Sequence, residues 1–313
     1  MKFVCSLTSN PKFILDLLDW EHGQRLFDSM LVSPLSSTSG LINLAHALHD
    51  EGRSVWFDSG GYSVQRGKLS YDEMVERLSH AYRKHSWADV YVMPDIPLTK
   101  DVPDADKLLD IMIEGGVKFW SRLPSRVRDR SLFVIHGTSK EHVEHCYGVY
   151  AKIGAPMLGF GSFSATGKDN GTSQVTNRNL EVLKLVGGIG GVHAFGIGSP
   201  AAVYLLHKAG FASSDSSGWL HAARMNKISM PFMAYRPVNG QAAVGNEEFL
   251  ELSELTGHEC LFTLDELQES GWKRTIHNLR VIDETVAMIN DGFDPSRIME
   301  RWSRFHFKKI MEL

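Results

Sequence analysis

The chain has 313 residues, 43% of them hydrophobic and 22% charged, with a net charge of −4 at pH 7. This composition belongs to a globular protein with an ample core and excludes a disordered or collagen-like chain. The slight negative charge gives no global pull toward nucleic acid, so contact with phosphates must come from local basic surface. Cys5, Cys146 and Cys260 lie far apart, form no CxxC pair and read as free thiols of a reducing compartment. No secretory leader pattern and no apolar stretch of membrane-spanning length is present, so a cytoplasmic protein without a membrane partner is expected.

In chain order, short β-rich apolar runs fall at 3–7, 30–32, 54–57, 90–93, 132–135, 156–160, 192–197 and 211–213. Segments with apolar positions at three- and four-residue spacing and charges on the other face separate most of them, and predict helices over 71–85, 105–113, 140–153, 177–186 and 201–209. Ser70 ahead of Glu73, Ser139 ahead of an acidic turn and Pro200 at a first helical position mark helix starts. Strands alternating with helices predict an α/β fold, a (β/α)8 TIM barrel, as a single domain over 1–313. The stretch "SSTSGLINLAHALHDEG" between the second and third runs is the least regular connection. After residue 218 the alternation lapses into "MPFMAYRPVNGQAAVGNEE", followed by helices over Leu264–Glu269 and 276–290 and a basic tail. The segment 218–313 reads as a barrel extension with C-terminal helices.

A barrel of this kind collects its chemistry at the C-terminal strand ends, where the following loops surround one mouth. Those ends carry Asp58 and Tyr62 in "FDSGGY", Asp95 in "VMPDIP", His136 in "FVIHGTS", Gly159 and Gly161 in "LGFGSFS", Gly196 and Gly198 in "AFGIGSP", and Asp215 in "ASSDSSGW". Taken singly, each has an ordinary reading. A carboxylate at a strand end caps a helix or a turn, a lone histidine after an apolar run is structural, and glycines make tight turns. Together, three carboxylates and three glycine-bearing turns around one mouth suit glycosidic chemistry, in which one carboxylate attacks the anomeric carbon and a second group manages the proton of the departing base.

In order along the chain, "FDSGGY", "PDIP", "HAFGIGSP", "AGFASSDSSGW" and "TIHNLR" resemble the tRNA-guanine transglycosylase superfamily over about residues 54–290. The resemblance implies a (β/α)8 barrel that exchanges guanine in a nucleic acid for a 7-deazaguanine base. It further implies Asp215 as the nucleophile that binds the sugar covalently, Asp58 as the general acid/base and Tyr62 as the ring stacked on the base. Asp95 would read the purine edge, while His136 stands where relatives usually have glutamine. Gly159 and Gly161, and Gly196 and Gly198, match the family's glycine turns beside the base. Bacterial members bind zinc through three cysteines and a histidine; here His258, Cys260 and His277 offer three ligands and no fourth, so no metal is assigned and a retained structural zinc is not favoured. The segment after Asp215 and the expected lack of an appended RNA-binding domain are similar to the DNA-guanine transglycosylases, which use preQ0-type bases. A DNA substrate is therefore expected ahead of tRNA, and its guanine must be flipped out or single-stranded. Phosphate contacts are expected from Lys118, Arg122, Arg126, Arg128 and Arg130, from Arg224 and Lys227, and from Arg301, Arg304, Lys308 and Lys309. Two further readings stand beside this one: a non-catalytic, transglycosylase-like nucleic-acid-binding subunit, and an unrelated barrel enzyme that binds a phosphorylated metabolite at "GIGSP" ahead of a helix.

Overall fold

The computed structural model describes residues 1–8, 10–20, 25–98, 104–137, 139–162 and 180–313. Eight parallel strands close into a barrel in sequence order: β1 (Lys2–Ser6), β2 (Ser29–Val32), β3 (Ser54–Phe57), β4 (Val90–Val92), β5 (Ser131–Ile135), β6 (Met157–Phe160), β7 (His193–Ala194) and β8 (Ser213–Ser216). The ring closes where β8 pairs with β1, with Asp215 opposite Val4.

Two-residue alternation builds two cores from the same strands. Val4, Leu31, Trp56, Val90, Val92, Leu132 and Val134 fill the barrel interior, joined by Met157 and Phe195. Their chain neighbours, among them Cys5, Met30, Phe57, Tyr91 and Phe133, face outward into the core beneath the helices. The helix Tyr71–Lys84 shows how that core is sealed. It buries Met74, Leu78 and Tyr82 on one stripe, and the Tyr82 hydroxyl donates to the Val92 carbonyl at 2.6 Å. Its start is the Ser70–Glu73 capping box, which satisfies two backbone donors of the first turn.

Several elements differ from the sequence expectation. The irregular connection after β2 is the helix Ser39–Asp50, capped by Thr38, with Leu41, Ile42, Ala45 and Leu48 inward. The helix expected over 105–113 runs on to Ser121 through Gly115 and Gly116. Close packing excuses the first of these glycines: a Cβ at Gly115 would lie 2.5 Å from the Tyr71 hydroxyl oxygen. Of the helix expected over 177–186, residues 177–179 lie outside the described residues, and the remainder belongs to Leu180–Ile189. The last strand is Ser213–Ser216, not 211–213, so Asp215 lies within the strand and not in the loop after it. The run "SSDS" lacks an apolar signature because its inward positions carry polar groups that find partners inside the barrel.

Beyond β8 the chain forms the helix Gly218–Arg224, a short antiparallel pair β9 (Lys227–Ile228) and β10 (Arg236–Pro237), and helices Asn246–Thr256, Leu264–Glu269, Gly271–Asn290, Ser296–Trp302 and Arg304–Glu312. The long helix Gly271–Asn290 packs on Gly218–Arg224, on Pro200–Lys208 and on β1. Arg274 anchors it by donating to the carbonyls of Ala223 at 3.0 Å and Leu267 at 2.7 Å. No helix among the described residues is long and apolar enough to cross a membrane.

Candidate active site

The alternation that lays the apolar floor also builds the polar mouth. Two residues beyond Val4, Trp56, Val134 and Ser213 come Ser6, Asp58, His136 and Asp215, so the inward faces turn polar within one layer. The carboxylates of Asp58 and Asp215 thereby belong to one barrel interior, although 157 positions of sequence separate them (215 minus 58).

Asp215 is 4% exposed and held by three donors. The Gly196 N–H lies 2.9 Å from Oδ1, His193 Nε2 lies 3.2 Å from the same oxygen, and the Ser6 hydroxyl donates to Oδ2. Gly196 takes a left-handed backbone (φ 76°), which turns its N–H back toward the strand. Asp58 is held differently. Only backbone N–H groups of its own turn hold it among the described residues, Gly60 at 3.1 Å and Ser59, the local contact that an Asp-Ser-Gly-Gly run favours. Burial first, then the negative charges of Asp95 and Asp215, push its carboxyl up to about 7, against two backbone hydrogen bonds that lower it.

Asp95 forms a second centre. Ser59 donates to its Oδ1, and His136 Nε2 lies 2.9 Å from its Oδ2. Because an ionised carboxylate only accepts, His136 carries its proton on Nε2, and its Nδ1 accepts from the Ser162 hydroxyl at 3.2 Å. With both ring nitrogens engaged and 1% exposure, His136 holds Asp95 in place. Among the described residues each Asp95 oxygen has one partner and keeps one lone pair free, the acceptor pattern that suits two N–H groups of a planar heterocycle. Tyr62 stands at the rim, 38% exposed, with the Arg66 guanidinium over one face at 4.2 Å from the ring centre.

The glycines have local reasons of their own. A Cβ at Gly159 would lie 2.5 Å from Phe195 Cε2, one at Gly161 would lie 2.6 Å from His136 Cε1, and one at Gly198 would lie 2.4 Å from Ser216 Cβ. Protein atoms fill these spaces, so the missing side chains admit neighbouring residues rather than a ligand. Gly196 alone of the four faces open space.

Sequence reasoning passed over His193, Ser6, Ser59 and Ser162. For His193 a signal existed: it opens "HAFGIGSP", and parallel pairing sets it opposite Ser213, one layer below Asp215. The basic run 118–130 lies away from this mouth. It precedes β5, and chain entering a barrel strand lies at the end opposite the mouth. There Arg130 donates to the Ala88 carbonyl at 3.0 Å and Arg128 lies over the Trp120 ring. In the tail, Arg301 pairs with Glu251 and stacks on Trp302 at 4.2 Å.

A separate cluster lies in the extension, where the donor atoms of His258, Cys260 and His277 all fall within 4.8 Å of one another. His258 Nδ1 is bound to Glu284, and His277 Nε2 lies 2.8 Å from the Ser229 carbonyl oxygen. Each ring thus has one nitrogen tied to an acceptor, the arrangement that fixes the tautomer of metal-binding histidines. His258 Nε2 is buried with no geometric hydrogen-bond partner among the described residues, and against burial, which lowers the pKa of the ring, the Cys260 thiol is close enough to raise it. Two imidazoles and a thiol are donor types that zinc accepts, three of the four that a closed tetrahedral site uses.

Fold and site together define a (β/α)8 barrel with a carboxylate-rich mouth. The chain matches no family model, and no curated protein matches it.

Proposed function

We propose that the protein is a base-exchange transglycosylase that replaces guanine in DNA with a 7-deazaguanine base of the preQ0 type through a glycosyl ester on Asp215. One observation carries the reading. Two carboxylates of one barrel interior have opposite surroundings: among the described residues Asp215 is immobilised by three donors from other strands and loops, while Asp58 has only the backbone donors of its own turn and a carboxyl raised to about 7. A fixed nucleophile beside a group that exchanges protons near neutrality is what displacement at an anomeric carbon needs.

In the first step Asp215 Oδ2 forms a bond to the sugar C1′ as the C1′–N9 bond breaks. The electron pair leaves with guanine, which takes the proton of Asp58. In the second step the incoming base gives a proton to Asp58 and attacks C1′, and the Oδ2–C1′ electron pair returns to Asp215. No nucleoside triphosphate is consumed, and the sequence holds no phosphate-binding GxxxxGK[ST] loop. Asp95, set by Ser59 and His136, reads the base edge, and Tyr62 covers its flat face. The phosphorylated-metabolite reading is disfavoured because the Gly196 N–H of the "GIGSP" turn is committed to Asp215.

We also propose a zinc-type ion held by His258, Cys260 and His277, where the sequence favoured none. It would tie the loop after Asn246–Thr256 to the helix Gly271–Asn290 and has no part in the steps above.

The test is to incubate the protein with guanine-containing single-stranded DNA and, separately, with tRNA, then search by mass spectrometry for a peptide bearing sugar at Asp215. A DNA adduct lost in Asp215→Ala is expected. An adduct with tRNA alone would move the substrate to RNA, and none with either would end the transglycosylase reading, leaving a nucleic-acid-binding subunit.

A further inference from the structure

We infer that His193 is the positioning residue of Asp215, selecting which carboxylate oxygen attacks; the inference rests on the reading of Asp215 as nucleophile. His193 is 1% exposed and sits one layer below Asp215, since β7 and β8 pair with His193 opposite Ser213. From that depth it can act only through the carboxylate above it.

Counting lone pairs gives its role. A carboxylate has about four in-plane acceptor sites, two on each oxygen. On Asp215, Oδ1 receives His193 Nε2 at 3.2 Å and the Gly196 N–H at 2.9 Å, so both of its sites are taken. Among the described residues Oδ2 receives only the Ser6 hydroxyl, which leaves one of its sites free. The attacking oxygen is therefore Oδ2, and the imidazole helps to make it so.

The imidazole is itself held in place. Nε2 faces an acceptor and carries the proton, and Nδ1 accepts from the Ser213 hydroxyl at 2.8 Å. The Trp56 ring lies 4.8 Å from the imidazole centre at a tilt of 50°, and Phe195 lies edge-on at 4.6 Å. Phe195 in turn occupies the space that the absent side chain of Gly159 leaves, which links that glycine to the nucleophile through two rings.

The same contact serves both halves of the exchange. When Oδ2 bonds to C1′ and the base departs with the C1′–N9 electron pair and a proton from Asp58, Oδ1 becomes the ester carbonyl. When the second base attacks and the Oδ2–C1′ pair returns to Asp215, the N–H groups of His193 and Gly196 receive the returning charge on Oδ1. Donors fixed in advance where charge develops are worth large rate factors in a site shielded from water.

The experiment compares wild type, His193→Gln, His193→Asn and His193→Leu by single-turnover formation of the Asp215 adduct. Glutamine places an amide N–H near the position of Nε2, whereas asparagine reaches only the position of Nδ1. His193→Asn and His193→Leu are expected to lose on the order of 10²-fold in rate, the cost of a misplaced nucleophile. His193→Gln is expected to recover to within about tenfold of wild type, with half-saturation for nucleic acid unchanged in all three. A role in packing alone would not separate glutamine from asparagine. Wild-type rates in His193→Asn, or equal losses in the two amides, would overturn the inference while the adduct itself upheld the function. Should His193→Asn fail to fold, Ser213→Ala decides, since it removes only the hydroxyl that sets the tautomer: a loss of about fivefold supports the inference and an unchanged rate overturns it. Absence of any adduct in wild type counts against the nucleophile itself, a separate failure.

Discussion

Gly61 lies so close to Asp95 that a Cβ there would stand 2.2 Å from the Asp95 carbonyl oxygen and 3.1 Å from its Oδ1. The glycine pair of "DSGGY" therefore joins two mouth loops. Gly60 supplies the left-handed turn (φ 76°) that starts the short helix Gly61–Gln65, and Gly61 lets that helix seat against the loop carrying Asp95.

Gly61→Ala must push two backbones apart, with a loss of about 2 kcal/mol or more. Gly148, inside the helix Lys140–Lys152 with nothing within 4 Å of its Cβ position, is the contrasting site. There alanine should stabilise by about 0.5–1 kcal/mol, as helix propensity dictates. Urea unfolding of both variants measures the difference, and equal effects would refute the close-approach account.

The pH dependence of Asp58 has a definite sign. Its folded carboxyl is raised from the usual carboxylate range to about 7, so the folded state holds the proton more tightly than the unfolded chain does. The associated stability is fully present below about pH 4 and is lost as pH rises through about 7. Asp58→Asn should accordingly be more stable than wild type at pH 8.5, by on the order of 1–3 kcal/mol, with the two converging near pH 4. Thermal melts at the two pH values check this.

Activity should follow the same proton in the opposite sense for the substitution. In the proposed mechanism adduct formation needs Asp58 protonated, so its single-turnover rate should fall about tenfold per pH unit above about 7. Asp58→Asn should lose that limb and run about 10²–10⁴-fold slower. A steep alkaline limb that survives in Asp58→Asn would assign the proton elsewhere.

The His258–Cys260–His277 cluster predicts about one zinc per chain in protein expressed with zinc, by elemental analysis. Chelation should lower the melting temperature by about 5 °C or more. His258→Ala should abolish both the metal content and the effect of the chelator. Metal-free protein with an unchanged melt would remove the ion from the structure.

Arg126 and Arg128 precede β5 and so belong to the barrel end away from the mouth. Their replacement by alanine should leave DNA affinity and its salt slope unchanged, whereas each lost phosphate contact would lower the slope by about one. Fluorescence anisotropy at several salt concentrations reads this directly. A reduced slope would mean that nucleic acid reaches the far end.

Much of the architecture was legible because it depends on local periodicity. Runs such as 54–57 and 132–135 alternate between two apolar environments, and the helix Tyr71–Lys84 declares itself by Ser70, Glu73 and a stripe of Met74, Leu78 and Tyr82. The mouth carboxylates Asp58 and Asp95 were legible because Asp58 directly follows such a run and Asp95 follows another after one proline. The strand Ser213–Ser216 was misplaced because no neighbour in sequence explains its polarity; its partners are Ser6, His193 and Gly196, up to 209 positions away. The partners of His136 were hidden for a related reason, since the sequence does not reveal that Asp95 and Ser162 engage both of its nitrogens.

From the amino-acid order alone came the alternation of strands and helices, the closed barrel and the set of residues at its strand ends, all of which follow from short-range hydrophobic period and turn chemistry. Only the tertiary structure decided which of those residues touch one another: that Asp215 rests on His193, that Gly61 abuts Asp95, and that the run 118–130 belongs to the far end. The physical reason is that hydrogen bonds and close contacts depend on ångström distances between strands remote in sequence, and ring closure sets those distances.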